Sequence, residues 1–296
     1  MVNRTPLRYP GGKSMMTPLF IDILNVNKLH DVTYAEPYAG GAGAAINLLL
    51  GNYVSRILIN DASPAIYSFW KYVKEDNQRF VDAILNCDVD LTNWKRMHDI
   101  LKSGDKPSFD LGFATFFLSR TNRSGILNAG PIGGATEESQ YKAHYKINCR
   151  FNKSELAKRV EAIGKHSKQI VVTNKDAIKF LKDLKGKNMF VYLDPPYYKK
   201  GQSLYLDYYK ADDHKILGEY LLNTNKFKWV LSYDNVKEIR EIYKSLDLYF
   251  FYINYTAQNL KVGNELLTHS RNIRMTETHI IKMKEKNIPL IKIDSL

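Results

Sequence analysis

Cysteine is scarce in this chain: Cys87 and Cys149 are the only two among 296 residues. That excludes a disulfide scaffold and a four-cysteine zinc site, and it suits a reducing compartment. No apolar run approaches the roughly 20 residues that span a bilayer. The start, Met1-Val2-Asn3-Arg4-Thr5-Pro6, leads into Gly11-Gly12-Lys13 rather than into an apolar signal core. The expectation is a soluble cytoplasmic protein. Repeats and low-complexity tracts are missing too. The seven histidines, His30, His98, His144, His166, His214, His269 and His279, are scattered without ligand spacing, so no metal is expected.

What the chain has in excess is positive charge, 43 Lys plus Arg against 31 Asp plus Glu, a net +12. Such charge favours nucleic acid or an anionic surface, although lysine-rich composition can equally be background. Twenty tyrosines offer stacking platforms for bases, but most aromatics in a domain this size belong to its core.

Short β-branched or aromatic runs alternate with amphipathic stretches. Strands are expected at Thr33–Glu36, Ser55–Asn60, Gln169–Thr173, Met189–Asp194, Phe227–Ser232, Leu248–Asn254 and Thr278–Met283. Helices are expected at Met15–Asn27, Ala42–Leu50, Ala62–Lys74, Lys175–Leu184, Asp212–Leu222 and Asn235–Leu246. This alternation predicts an α/β domain with a mostly parallel sheet covered by helices on both faces. From about Trp70 to His166 the helical pattern continues without strands, and a polar, glycine-containing stretch, Arg120–Arg150, interrupts it. The expected organisation is a core domain of residues 1–69 and 167–296 carrying a mainly helical insert, residues 70–166. Long irregular loops in compact domains are usually functional or disordered.

The sharpest motif is Asp194-Pro195-Pro196-Tyr197, directly after the apolar run Met189–Leu193. Prolines lack an amide donor, so the strand stops there in a rigid turn, at the carboxyl end where open α/β sheets place ligands. Two oxygen acceptors, the Asp194 carboxylate and the Pro195 carbonyl, beside the Tyr197 ring suit a planar base with an exocyclic amine. An ordinary strand end with a surface tyrosine is the plainer reading. A second motif, Glu36-Pro37-Tyr38-Ala39-Gly40-Gly41-Ala42-Gly43, joins a strand to a helix, where glycine permits close approach of a ligand to the backbone. It lacks the G-x-G-x-x-G spacing of a dinucleotide site, which argues against a nicotinamide dehydrogenase. Asp61, ending the next apolar run, suits ribose hydroxyls or a helix cap. Arg8-Tyr9-Pro10-Gly11-Gly12-Lys13 offers a turn and a lysine without the spacing of a phosphate-binding loop.

Together these motifs, in this order, resemble the Dam-type DNA adenine-N6 methyltransferases. The resemblance runs from about Leu7 to the end, and implies a Rossmann-like methyltransferase fold whose insert recognises the target. It implies S-adenosylmethionine as cofactor, touched by Tyr9 and Lys13, cradled by Glu36, Pro37, Tyr38, Gly40 and Gly41, with Asp61 on its ribose and Asp194 shared between cofactor and target. Asp194, Pro195, Pro196 and Tyr197 would be catalytic, acting on an adenine flipped out of duplex DNA. Double-stranded DNA is the implied partner, and a cognate restriction endonuclease a functional companion.

Base and phosphate contacts are expected from Arg120, Asn122, Arg123, Ser124 and Asn128 in the insert and from Lys199 and Lys200 beyond the catalytic turn. Where GATC-specific enzymes of this type carry an aromatic-Asn-Gly segment followed by Arg, this chain has Arg123-Ser124-Gly125 and then Asn128, so another recognition site is open. The alternatives are a cytosine-N4 methyltransferase, which usually carries Ser in place of Asp194; an RNA or protein-amide methylase, which more often carries Asn there; and a noncatalytic basic DNA-binding protein on a methylase scaffold.

Overall fold

The computed structural model describes residues 4–186, 188–198, 210–257, 259–276, 280–281 and 287–293, with the backbone alone over most of 253–262. Five parallel strands form its centre: β1 (Thr33–Glu36), β2 (Arg56–Asn60), β3 (Ile170–Thr173), β4 (Met189–Leu193) and β5 (Lys228–Asp234). Two longer strands, β6 (Leu248–Ala257) and β7 (Asn259–His269), complete one side, with β7 antiparallel to both β5 and β6. The sheet order is β3-β2-β1-β4-β5-β7-β6, and the short β10 (Ile291–Lys292) edges β6. Crossing from β3 back to β4 reverses the strand order beside β1, which opens a crevice at the carboxyl ends of β1 and β4.

Strand alternation sorts side chains to two faces. Tyr34, Phe190 and Tyr192 enter one core with Phe20 of α1 (Thr17–Val26) and the helix α2 (Gly43–Leu50). Ala35, Val191 and Leu193 enter the other, under α9 (Ala177–Asp183), α10 (Ala211–Asn223) and α11 (Lys237–Tyr243). Both faces are covered, so β4 is buried at all five positions and reads as a continuous apolar run.

Between β2 and β3 lie α3 (Pro64–Glu75), α4 (Asn77–Asn86), α5 (Leu91–Ser103), α6 (Phe109–Thr121), α7 (Glu137–Lys142) and α8 (Lys153–Gly164). The expected boundary at residue 70 falls inside α3, and the insert's Phe80, Phe113 and Phe116 belong to the same apolar cluster as Phe20 and Phe190. The insert therefore shares the core of the sheet domain. Helix α6 sits almost against α3: a Cβ on Gly112 would lie 2.8 Å from the Ser68 carbonyl, so glycine is required there.

Most expected elements agree with the structure to within a few residues at their ends. Two were missed. Helix α7 lies inside the expected Arg120–Arg150 loop, where Thr136 and Ser139 close a capping box. Strand β7 was missed because Gly263-Asn264-Glu265 interrupts its apolar pattern. The expected strand Thr278–Met283 lies partly outside the described residues; its described pair, β8 (Ile280–Ile281), joins β9 (Ile288–Pro289) in a separate two-stranded sheet.

Candidate active site

A cavity of about 280 Å³ opens at the carboxyl ends of the central strands. Of the residues expected to bind a cofactor, Tyr9, Lys13, Glu36, Pro37, Tyr38, Gly40, Gly41, Asp61 and Asp194 all line it, as does Pro196 of the catalytic motif. Pro195 and Tyr197 are not among the lining residues. The wall also includes Asp176 and Ile178, from the turn after β3 and the start of α9. These were not singled out from sequence; the signal available was their position at the end of a third apolar run.

The glycine turn is fixed by its neighbours. Gly40 adopts φ +43, and a Cβ there would stand 2.7 Å from the Tyr9 ring. The Gly40 amide donates to Asp61 at 2.9 Å and its carbonyl accepts from the Trp70 indole at 2.8 Å. Asp61 also accepts from the Ser63 amide at 3.0 Å, so it shapes the entry to α3 as well as the turn. Asn60, almost wholly buried, ties three strand ends together by donating to the carbonyls of Pro37 and Lys175 and accepting from Thr173. Gly40→Ala is expected to cost about 1–2 kcal/mol of stability from the left-handed backbone alone. It should also displace Tyr9 and weaken ligand binding at this cavity; denaturant unfolding and calorimetric titration check both effects.

Glu36 is buried, accepting from the Tyr34 hydroxyl at 2.8 Å and from the Ala45 amide at 3.2 Å. Burial pushes its carboxyl up to about 8, against the help of those two donors. It is therefore largely protonated at neutral pH. Since its folded-state value lies above the unfolded one, the native state holds the extra proton between roughly pH 4.5 and 8, and this group's contribution to stability falls as pH rises across that window. Glu36→Gln keeps the accepting oxygen, so the variant should outlast the wild type above pH 8 in urea unfolding.

At the end of β4, Asp194 meets a buried polar cluster. The Lys13 ammonium donates to both Asp194 oxygens, at 2.9 and 3.0 Å. It also donates to the Tyr197 hydroxyl at 3.2 Å and lies 3.3 Å from Glu265 of β7. Tyr197 in turn donates to Glu265. The Ser232 hydroxyl of β5 donates to Asp194 at 3.1 Å, so the Tyr192 hydroxyl, 2.6 Å from Ser232, must be the donor in that pair. Burial raises the Asp194 carboxyl to about 6, with Glu265 adding to the rise and Lys13 opposing it. Burial alone would lower the Lys13 ammonium, but Asp194 and Glu265 push it up, and it stays charged.

Tyr197 is buried, unlike the surface tyrosine of the plainer sequence reading. Its side chain is 7% exposed, its hydroxyl is turned inward, and the Lys13 ammonium lies 5.4 Å from its ring centroid. The turn that carries it is held by the Tyr198 amide, which donates to Asp234 at 2.9 Å.

The insert loop packs beside this site. Gly125 lies against the Arg8 carbonyl, next to Tyr9. A bridge between Asn122 and Pro131 closes the loop. Asn122 is buried: it accepts from the Trp94 indole at 2.6 Å and donates to the carbonyls of Ile126 and Leu127. Arg120 donates to the Pro6 carbonyl. Both were expected as DNA contacts; in the structure Asn122 is buried and bonded within its own loop, and half-buried Arg120 fixes the N-terminal segment. Arg123 and Asn128 are exposed on this loop, and Ser124 is half-buried with φ +56. Lys199 and Lys200 lie outside the described residues. Arg120 also sits in a guanidinium cluster; burial, then Arg159 and Arg8, lowers it to about 10, still cationic at neutral pH.

The cavity's charge narrows what it can hold. Among the described residues five carboxyl groups, Glu36, Asp61, Asp176, Asp194 and Asp213, line it, with Lys13 the one basic lining residue. A pyrophosphate would meet repulsion, whereas a cationic ligand with ribose hydroxyls and an amine finds acceptors. The fold and site thus define an α/β protein with a ligand crevice beside β1 and a carboxylate-proline turn after β4. The chain belongs to the D12 class N6 adenine-specific DNA methyltransferases, whose family pattern matches residues 9–259. It is accordingly an enzyme of adenine methylation in DNA. Among solved structures, an rRNA methyltransferase, aviRa from Streptomyces viridochromogenes, is similar at 13% identity and a TM-score of 0.33, over 82% of this chain and 77% of that one. No curated protein matches. No helix among the described residues is long and apolar enough to cross a membrane.

Proposed function

We propose that the enzyme transfers a methyl group from S-adenosylmethionine to the N6 amine of an adenine flipped out of duplex DNA. The observation that carries this reading is the carboxyl-rich cavity ending at Asp194. S-adenosylmethionine is cationic at sulfur and carries ribose hydroxyls and an exocyclic amine, and the donor set fits: Asp61 for the ribose, Asp176 beside Ile178 for the adenine end, Tyr9 over Gly40 and Gly41 as a wall. When bound, the cofactor supplies an activated methyl group.

The target amine must reach Asp194, which a paired base cannot do; extrusion costs a few kcal/mol of stacking and pairing. Asp194 accepts one amine hydrogen and the Pro195 carbonyl a second, which turns the nitrogen lone pair toward the methyl. As the nitrogen takes the methyl group that the cofactor would supply, one amine proton would leave to Asp194 and then to solvent. Positioning and fixed charge supply most of the acceleration. Tyr197, anchored through its hydroxyl, and Pro196 wall the adenine. Arg123, Ser124 and Asn128 on the insert loop face the duplex, and Lys199 and Lys200 meet phosphate. A DNA substrate places the enzyme in the cytoplasm, where a cognate endonuclease would be its functional companion.

Because Asp194 must be ionised to accept the amine hydrogen, methyl transfer should fall about tenfold per pH unit below an acid limb near 6. The reading as a whole is tested by tritiated-methyl transfer from S-adenosylmethionine into unmethylated duplex DNA. Label should enter that DNA and not DNA already methylated at the same adenines; equal incorporation into both, or none, would overturn it.

A further inference from the structure

Nothing in the methyl-transfer scheme above uses Glu265, yet β7 delivers this carboxyl, 1% exposed, to the Asp194 cluster. A buried acid of this kind is costly unless it is partnered, and its partners here are groups of the active site. The Lys13 ammonium lies 3.3 Å from it, and the Tyr197 hydroxyl donates to it.

The problem that Glu265 solves is competition. Lys13 holds both Asp194 oxygens, at 2.9 and 3.0 Å, and lies 5.4 Å from the Tyr197 ring centroid. In this arrangement the ammonium competes with an approaching amine for both Asp194 oxygens. Lys13 lines the cavity and is buried, and an unpaired buried ammonium would be costly. A second carboxyl already in reach lets it move a short distance and remain paired.

We propose that Glu265 is a positioning residue for methyl transfer: it receives the Lys13 ammonium when the target amine takes Asp194, and it holds the Tyr197 hydroxyl throughout. This rests on the reading of Asp194 as the acceptor for the amine. The charged and titratable groups facing Asp194 are Lys13 from the N-terminal segment, Glu36 and Tyr34 from β1, Tyr192 from β4, Tyr197 from the turn, and Glu265 from β7. Of these, Glu265 is the one carboxyl shared with both Lys13 and Tyr197.

In Glu265→Gln, Lys13 has Asp194 alone as its charged partner. Single-turnover methyl transfer at saturating DNA and cofactor should drop on the order of 10-fold to 10²-fold, with cofactor affinity unchanged. The acid limb should move to lower pH, because Asp194 loses a repelling neighbour and keeps Lys13 closer; a packing defect would slow the reaction without moving that limb. In a Lys13→Met background the plateau loss caused by Glu265→Gln should disappear. Glu265→Asp, which keeps the charge, should recover most of the rate, and it decides the matter if the Gln variant fails to bind S-adenosylhomocysteine. A wild-type plateau and acid limb in Glu265→Gln, an equal loss in the Lys13→Met background, or an Asp variant as slow as Gln would each overturn the proposal. Asp194→Asn run alongside separates the two levels. If it is as fast as wild type, the reading of Asp194 fails; if it is slow while Glu265→Gln is normal, this inference alone fails.

Discussion

Asp194→Ala should lower single-turnover methyl transfer at saturating cofactor and DNA by about 10³-fold. The size follows from what is lost. Asp194 is the acceptor at the end of β4, ordered by Lys13 on both oxygens and by the Tyr192–Ser232 hydroxyl chain on one. Fixed acceptors that need no reorganisation are worth most in a site closed to water. Removing the carboxyl leaves Lys13 with Glu265 at 3.3 Å, so the ammonium remains paired and the fold is expected to survive. The rate loss therefore reports chemistry rather than collapse, and S-adenosylhomocysteine binding is the control. Normal turnover by this variant would remove Asp194 from the mechanism.

The second large effect is on stability. Phe116 of α6 is fully buried, and its ring contacts Phe69 of α3, Phe80 of α4, Phe113 one turn earlier and Phe151 before α8. Truncation of such a ring in a close-packed interior costs about 3–5 kcal/mol, because the neighbours cannot close the cavity. That is a large share of the roughly 5–15 kcal/mol by which domains are stable. Since the same apolar cluster includes Phe20 and Phe190 beside the sheet, Phe116→Ala should shift one cooperative urea transition. An insert that folded apart from the sheet domain would instead show a separate, earlier transition.

The central strands were legible because their apolar runs are closed by polar or proline turns; β4 is buried at every position, while the edge strand β3 is half-buried at three of four. Asp194 was legible for the same reason: two prolines stop β4 and leave the carboxyl at its tip. The glycine turn was legible as a pattern, but its cause was not. Gly40 is required by the Tyr9 ring, which arrives from a distant segment. Strand β7 was hidden because its centre carries a buried acid that makes sense only beside Lys13 and Tyr197. Arg120 and Asn122 have the chemistry of base readers, yet one holds Pro6 and the other closes its own loop. A polar side chain does not reveal from sequence whether it serves a partner or the backbone around it.

The account stands or falls on where the methyl group goes. The enzyme, unmethylated duplex DNA and S-adenosylmethionine bearing a deuterated methyl group should be combined, the DNA digested to nucleosides, and the products separated by mass. The expected product is deoxyadenosine carrying the deuterated methyl at N6. Label on cytosine, or methylated adenine without deuterium, would contradict the assignment of the cavity and of the Asp194 turn.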